Sequence, residues 1–249
     1  MPDSTHLVTP AQRKWLPWLT AVGFFMQTLD GTILNTALPS MAEALGESPL
    51  QMQSVIIAYM LTVALLIPAS GWLADRFGTR RVYLAAILLF TLGSLACAAA
   101  NTLPMLVAAR VLQGVGGALL MPIGRLAVLR VYSKHELLRV MSFVTIPGLV
   151  GPLIGPALGG WLVEVASWHW VFLINLPVGI LGFIASWYFM PDLRQGTATF
   201  DWQGFVMFSA GMVLVSVGLQ GLGEHSISTG WALFALIFGL AAMTSPLYR

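Results

Sequence analysis

The sequence predicts an all-α polytopic membrane protein. Three observations predict it: an apolar composition, apolar runs of bilayer-crossing length, and a one-sided distribution of cations. Of the 249 residues, 57% are hydrophobic and 9% are charged, whereas a soluble domain carries about 25% charged residues. A soluble surface cannot be built from so few charges. The apolar residues form long unbroken runs rather than amphipathic stripes, the pattern of helices surrounded by lipid. The formal net charge of +2, with no dense basic patch, argues against a nucleic-acid or polyanion partner.

A bilayer-crossing helix needs roughly 20 mostly apolar residues, and eight segments approach or meet that length. The stretch from Met1 to Thr9 is polar and contains Asp3, unlike the basic start of a cleaved signal peptide, so the first run, Leu16 to Leu38, remains a true span. Val55 to Leu73 and Val82 to Leu103 follow, and the lone Cys97 in the third run has no disulfide partner and reads as a packing residue. The fourth to sixth spans are Met105 to Ile123, Val140 to Val163 and Trp170 to Met190. Phe205 to Leu222 is the seventh, and Trp231 to Leu247 is a short eighth near the chain end.

Lys and Arg in short loops are retained on the cytoplasmic side, and one orientation places them all. With the N-terminus inside, Arg13, Lys14, Arg76, Arg80, Arg81, Arg125, Arg130, Lys134, Arg139, Arg194 and Arg249 are cytoplasmic, while the outer loops carry Glu43, Glu47, Glu164 and Glu224. Only Arg110 is left, inside span four.

A charge at bilayer depth costs at least ~2.5 to 3.5 kcal/mol, so one that persists is a functional candidate. Asp30 and Arg110 qualify. Asp30 lies about 14 residues into span one, or roughly 21 Å at ~1.5 Å per residue. Arg110 enters from the other face and reaches nearly the same level of a ~30 Å core. Matched depth permits an ion pair or a competition for one proton, either of which offsets the desolvation of both charges. Gln27 and Gln113 stand three residues from Asp30 and Arg110, so each charge shares a helical face with an amide. Two readings stay open: a proton or substrate site, or a structural strut with a packing hydrogen bonder.

The loop between spans two and three runs from Gly71 through Asp75, Arg76 and Gly78 to Arg80 and Arg81. Gly71 would let helices approach closely, Gly78 would permit a turn at positive φ, and Asp75 would hold an arginine or a helix N-terminus in an inner latch. The simpler alternative is that these charges only set topology. In span five, Gly151, Gly155 and Gly159 recur every fourth residue and make a smooth ridge for close packing. Pro152 and Pro156 remove backbone donors. With Gly148 they suggest a hinge or a sealed seam. Trp15, Trp18, Trp161, Trp168, Trp170 and Trp231 fall near span ends and read as interfacial anchors. His6, His135, His169 and His225 lie apart, with no metal-ligand spacing. No phosphate-binding loop occurs, and no nucleophile or metal dyad supports an intramembrane enzyme. Neither a metal nor another cofactor is expected.

Five motifs in order resemble one family. The string Leu29-Asp30-Gly31-Thr32-Ile33-Leu34-Asn35-Thr36-Ala37-Leu38-Pro39 resembles the first-span motif of the fourteen-span drug:proton antiporter branch of the major facilitator superfamily. The loop from Gly71 to Arg81 is similar to that superfamily's inner-loop signature. Leu106, Arg110, Gln113, Gly114 and Gly116 match its span-four motif, Gly148 to Gly160 its span-five antiporter motif, and Trp168 to Pro177 the start of span six. The resemblance covers spans one to six. It implies a six-helix N-terminal bundle of three-plus-three inverted repeats, with spans one and four lining a central cavity, and about two further transmembrane helices. It also implies that Asp30, Arg110, Gln27, Gln113 and Asn35 serve proton coupling or substrate contact, with Asp75, Arg76 and Arg80 as the gate latch. The expected activity is proton-coupled efflux of amphipathic drugs or other small organic compounds across the bacterial inner membrane, with protons, a small-molecule substrate and the lipid bilayer as partners.

The expected layout is a cytoplasmic tail at 1–14, the six-span bundle at 15–190, and spans seven and eight at 191–249, with a second bundle absent. Alternating access needs a second bundle to rock against the first, so the alternatives are a non-transporting fragment that acts only through helix association and a self-pairing half-transporter.

Overall fold

A computed structural model describes residues 8–194, 196, 199–224 and 228–244. The protein is an all-α polytopic membrane protein. Its helices are α1 (Pro10–Leu45), α2 (Pro49–Leu66), α3 (Ser70–Phe77), α4 (Thr79–Ala98), α5 (Leu103–Val131), α6 (Lys134–Val165), α7 (Trp170–Leu173), α8 (Asn175–Phe189), α9 (Trp202–Glu224) and α10 (Thr229–Thr244). A 3-10 turn, Ile67–Ala69, built around Pro68, joins α2 to α3.

Local sequence explains where these helices start. Thr9 with Gln12, Ser48 with Gln51 and Ser133 with Glu136 form reciprocal capping boxes, satisfying amide donors that a helix start leaves unpaired. Pro10 and Pro49 occupy first-turn positions where no amide donor is needed. Gly46 ends α1 in the left-handed conformation at φ 67°, which glycine adopts without a side-chain penalty.

Among the described residues, six stretches are long and apolar enough to cross a membrane: Pro49–Phe77, Thr79–Ala98, Leu103–Val131, Lys134–Val165, Trp170–Phe189 and Trp202–Leu219. Two of the eight sequence-expected spans fall outside that set, for different reasons. The 36 residues of α1 extend ~54 Å, ample for a crossing. Its polar positions, among them Thr20, Gln27, Thr28, Asp30, Thr32 and Asn35, dilute its hydropathy. In the eighth, the apolar stretch Gly230–Met243 is short, and residues 245–247 of the expected span lie outside the described residues.

The centre of the bundle is α5, where 61% of the apolar window is buried against 17% in α6. It contacts α1, α2 and α4, while α8 packs on α1 and α4, and the α9–α10 hairpin touches α2. The apolar core is split. One cluster, including Met26, Phe90 and Leu120, fills the end near Leu16. Another, including Ile33, Cys97 and Leu106, fills the end near Met41. Between them α1 contributes Asp30, α4 Ser94, and α5 Arg110 and Gln113, all buried.

The glycine ridge of α6 lies against α1. A methyl group on Gly148 would overlap Phe24, and methyl groups on Gly151, Gly155 and Gly159 would overlap Thr28, Thr32 and Thr36. Four-residue rows on both helices therefore interdigitate, glycine opposite threonine. Those threonine hydroxyls donate to carbonyls of their own helix, as Thr28 does to Phe24 at 3.0 Å and Thr32 to Thr28 at 3.0 Å. They thus enter the seam without an unpaired donor. The ridge seals a contact within the bundle, and α6 continues through Pro147, Pro152 and Pro156.

Two expectations are corrected. Gly71 does not mediate close helix approach, because a side chain there would meet nothing within 4 Å. Trp168 is not an interfacial anchor: it is buried, stacked on His169 at 3.8 Å and edge-on to Phe172 at 6.4 Å. Its neighbour Trp170 and the more distant Trp15, Trp18, Trp161 and Trp231 are exposed, as anchors require.

Candidate functional site

The polar layer between the two core clusters is a closed network centred on Asp30. Arg110 Nη1 donates to Asp30 Oδ2 at 2.6 Å and to Gln113 Oε1 at 2.6 Å. Gln113 Nε2 donates to Asp30 Oδ1 at 2.7 Å and to Ser94 Oγ at 2.8 Å. Asn175 Nδ2 at the start of α8 donates to Asp30 Oδ1 at 3.2 Å and Ser94 Oγ at 3.4 Å. Arg110 Nε reaches the Val55 carbonyl of α2 at 3.4 Å. Five helices thus contribute to one network, with α5 and α8 donating directly to the α1 carboxylate.

Both charged side chains are 1% exposed. Such burial is tolerable because each Asp30 oxygen accepts a donor and the guanidinium is spread over several acceptors. An aromatic wall completes the site. The Arg110 guanidinium lies 4.1 Å from the Tyr59 ring centroid and 5.9 Å from that of Phe172, where ring faces attract a cation most strongly in dry surroundings. The Tyr59 hydroxyl is itself buried without a partner among the described residues. Cys97 Sγ sits 3.7 Å from Gln113 Oε1, so this thiol packs and also touches the network.

The sequence-expected residues divide. Asp30, Arg110 and Gln113 come together; Gln27 and Asn35 do not join them. Gln27 Oε1 is buried and unpartnered, and Asn35 is exposed. Sharing a helical face with Asp30 was a poor guide for Gln27, although the same three-residue spacing does bring Arg110 and Gln113 together on α5. Sequence reasoning missed Tyr59, Ser94 and Val55 as site members. It singled out Asn175 only within a motif. Isolated polar residues inside apolar runs, such as Ser94, were the available signal.

The inner-loop motif makes a second ion pair. Asp75 Oδ1 accepts from Arg130 Nη2 at 2.5 Å, so its partner arginine is at the end of α5 rather than in the loop. Arg76 lies over Trp72 at 5.9 Å. Arg80 lies over Trp187 at 5.6 Å and donates to its carbonyl. Arg81 is exposed. Gly78 holds φ 91°, and a side chain there would collide with Asp192. The segment after α8 straps this turn: Thr79 Oγ1 donates to the Pro191 carbonyl at 2.7 Å, and Leu193 N donates to Thr79 Oγ1 at 3.0 Å. Nearby, Tyr132 donates its hydroxyl to the Arg13 carbonyl, and partial burial pushes its phenol pKa up. Among the described residues, no group of three or more His, Cys, Asp and Glu side chains comes together.

Comparison with known proteins places this geometry. Residues 20–249 match the family model described as Major Facilitator Superfamily. The chain is 55% identical over 243 residues to a provisionally named multidrug resistance protein, MdtD, of Pectobacterium atrosepticum, covering 96% of this chain and 51% of the relative. It is also 55% identical over 240 residues to a protein of the same name in Klebsiella pneumoniae, again covering 96% and 51%. The chain therefore spans about half the length of the curated relatives it matches. Among solved structures, a peptide transporter POT in complex with sulfate superposes with a TM-score of 0.67 at 18% identity, over 96% of this chain and 52% of the other. The POT family transporter PepTSo does so with a TM-score of 0.65 at 15% identity, over 97% and 54%. At those identities the likeness is one of fold. A family model matched over nearly the whole chain, on a bundle whose motif residues Asp30, Arg110 and Gln113 meet in its core, settles the assignment: this multi-span membrane protein belongs to the Major Facilitator Superfamily.

Proposed function

We propose that residues 15–190 form one bundle of a secondary active transporter that expels amphipathic organic compounds in exchange for protons, with Asp30 as the proton-coupling group. The observation that carries this reading is the complete burial of the Asp30–Arg110 pair between two apolar clusters. Family membership and relatives named for multidrug resistance support the substrate class.

Protonating Asp30 would neutralise one member of a buried pair and leave the Arg110 charge held only by dipoles and aromatic faces. Because Asp30 is sealed by α1, α2, α4, α5 and α8, a proton reaches it only when helices part. Protonation and helix rearrangement are then linked, which is what coupling to a gradient requires. Asp75 and Arg130 would serve as the inner latch. The N-terminus would be cytoplasmic, a reading the loop cations support, and the membrane the bacterial inner membrane, a reading the bacterial relatives support.

Alternating access needs a second bundle. In relatives of twice this length it would be the rest of the chain, with residues 191–249 as intervening spans. A second reading, association of this chain through helices without transport, is favoured by the broad exposed faces of α2 and α6.

The test is movement of a fluorescent lipophilic cation in proteoliposomes bearing a pH gradient, with the chain and its Asp30→Asn variant compared. Gradient-driven movement lost in Asp30→Asn supports the reading. Equal movement in both removes Asp30 from coupling, and no movement from folded protein favours association alone.

A further inference from the structure

A cavity of about 310 Å³ lies between α1, α4 and α8, away from the Asp30 network. Its α1 wall runs from Trp15 to Met26, eleven residues or ~16 Å along the helix axis. Half of a ~30 Å hydrocarbon core is about 15 Å, so the cavity is a slot spanning one leaflet. Its lining is apolar, and its rim residues Trp15, Trp18 and Leu181 are exposed. On a membrane-spanning bundle such a rim faces lipid.

Two side-chain hydroxyls stand in the lining, and that of Tyr83 is used on the Leu19 carbonyl at 2.7 Å. Ser186 lines the slot, is 1% exposed, and its Oγ has no hydrogen-bond partner among the described residues. A buried hydroxyl without an acceptor is costly, and serines in helices ordinarily bond back to their own backbone. Its level is set by the neighbouring stack of Trp15 on Phe189 at 5.5 Å, which puts Ser186 at the interfacial end of the slot. Cations flank that end. Lys14 precedes Trp15, is exposed, borders the neighbouring α1–α6 pocket with Glu136 and has no ion pair among the described residues, and Arg80 is held on the ring and carbonyl of Trp187, next to Ser186.

We propose that this slot binds one acyl chain of an anionic phospholipid, with the Ser186 hydroxyl donating to the ester carbonyl and Lys14 and Arg80 facing the phosphate. An unbranched chain fills a leaflet-long apolar slot, an ester places its acceptor where hydrocarbon ends, and cations beside the membrane select anionic headgroups. This site is separate from proton coupling and stands whether or not the chain transports.

The experiment is native mass spectrometry of the detergent-solubilised chain titrated with phosphatidylglycerol or phosphatidylcholine. Wild type is expected to retain phosphatidylglycerol in preference to phosphatidylcholine. A side chain at Gly182 on the slot wall would meet nothing within 4 Å, as would one at Gly160 on α6. Gly182→Leu is therefore expected to fill the slot and abolish retention, and Gly160→Leu to leave it intact, with helicity by circular dichroism unchanged in both. Ser186→Ala should weaken binding roughly threefold to tenfold, the range of one neutral hydrogen bond. Lys14→Gln combined with Arg80→Gln should erase the headgroup preference. Equal phosphatidylglycerol retention by Gly182→Leu and Gly160→Leu would overturn the site. So would Gly182-sensitive binding of tetraphenylphosphonium by a protein that retains no phospholipid, which would make the slot a site for lipophilic cations.

Discussion

Two of the aspartate–arginine pairs among the described residues have nearly equal length and opposite setting. Asp30 and Arg110 meet at 2.6 Å with both side chains 1% exposed, and Asp75 and Arg130 meet at 2.5 Å with exposures of 23% and 8%. The first is fully furnished: both carboxylate oxygens accept donors, and Gln113, Ser94 and Asn175 close the ring. The second is sparse. Only one Asp75 oxygen is engaged by Arg130, whose Nε and Nη1 are buried without partners. Bond length therefore says little about what a pair does. A saturated pair in a dry core is costly to disturb, whereas an under-furnished one at the bundle's edge is poised to exchange partners.

The largest effect should come from breaking the first pair on one side. Asp30→Ala is expected to destabilise the bundle by about 3 to 5 kcal/mol, because Arg110 stays buried without its counter-charge. Asp30→Asn with Arg110→Gln should cost less than the sum of the two single changes. Reversible unfolding in mixed micelles measures both, and additive costs would mean the pair is not coupled. Next come the furnishings: Ser94→Ala or Asn175→Ala should each cost about 1 to 3 kcal/mol by leaving a buried partner unsatisfied, in the same assay.

The edge pair should give less. Asp75→Asn is expected to cost about 1 kcal/mol, since partial exposure lets water replace the carboxylate. Its signature should be kinetic, namely faster labelling of a cysteine at Ala74, which is buried, by a membrane-impermeant thiol reagent. Unchanged labelling would mean Asp75 holds nothing shut. The smallest effect belongs to Arg13 and Glu136, paired at 2.6 Å on the surface with exposures of 43% and 46%. Glu136→Gln should leave the melting temperature unchanged within error, and a clear drop would show that exposed ion pairs matter here as buried ones do.

Much of the fold was legible because membrane burial writes itself in composition. Seven of the eight apolar runs marked regions where long helices occur and the eighth a shorter one, whereas the capping residues Ser48 and Ser133, which start two of them, emerged only with the structure. The Gly151, Gly155 and Gly159 ridge announced a close contact, but not its partner. Pattern on one helix reports a shape, and the complementary threonines of α1 read as ordinary polar residues in isolation. Asp30 and Arg110 were visible because charges in apolar runs are rare, and matched depth suggested a meeting. Gln27 and Asn35 were grouped with them on spacing and motif, and packing separated them.

By itself, the sequence determined the class of protein, the approximate spans, and which two charges had to be accounted for inside the membrane. These follow from one-dimensional quantities, namely run length, hydropathy and the cost of a charge at a given depth. Only the tertiary structure decided that Asn175, Ser94 and Tyr59 surround those charges, that Arg130 rather than a loop arginine holds Asp75, and that the glycine ridge closes on α1. Each of these depends on which faces of separate helices are turned toward each other, and helix rotation and neighbour choice are fixed by the packing of all of them together.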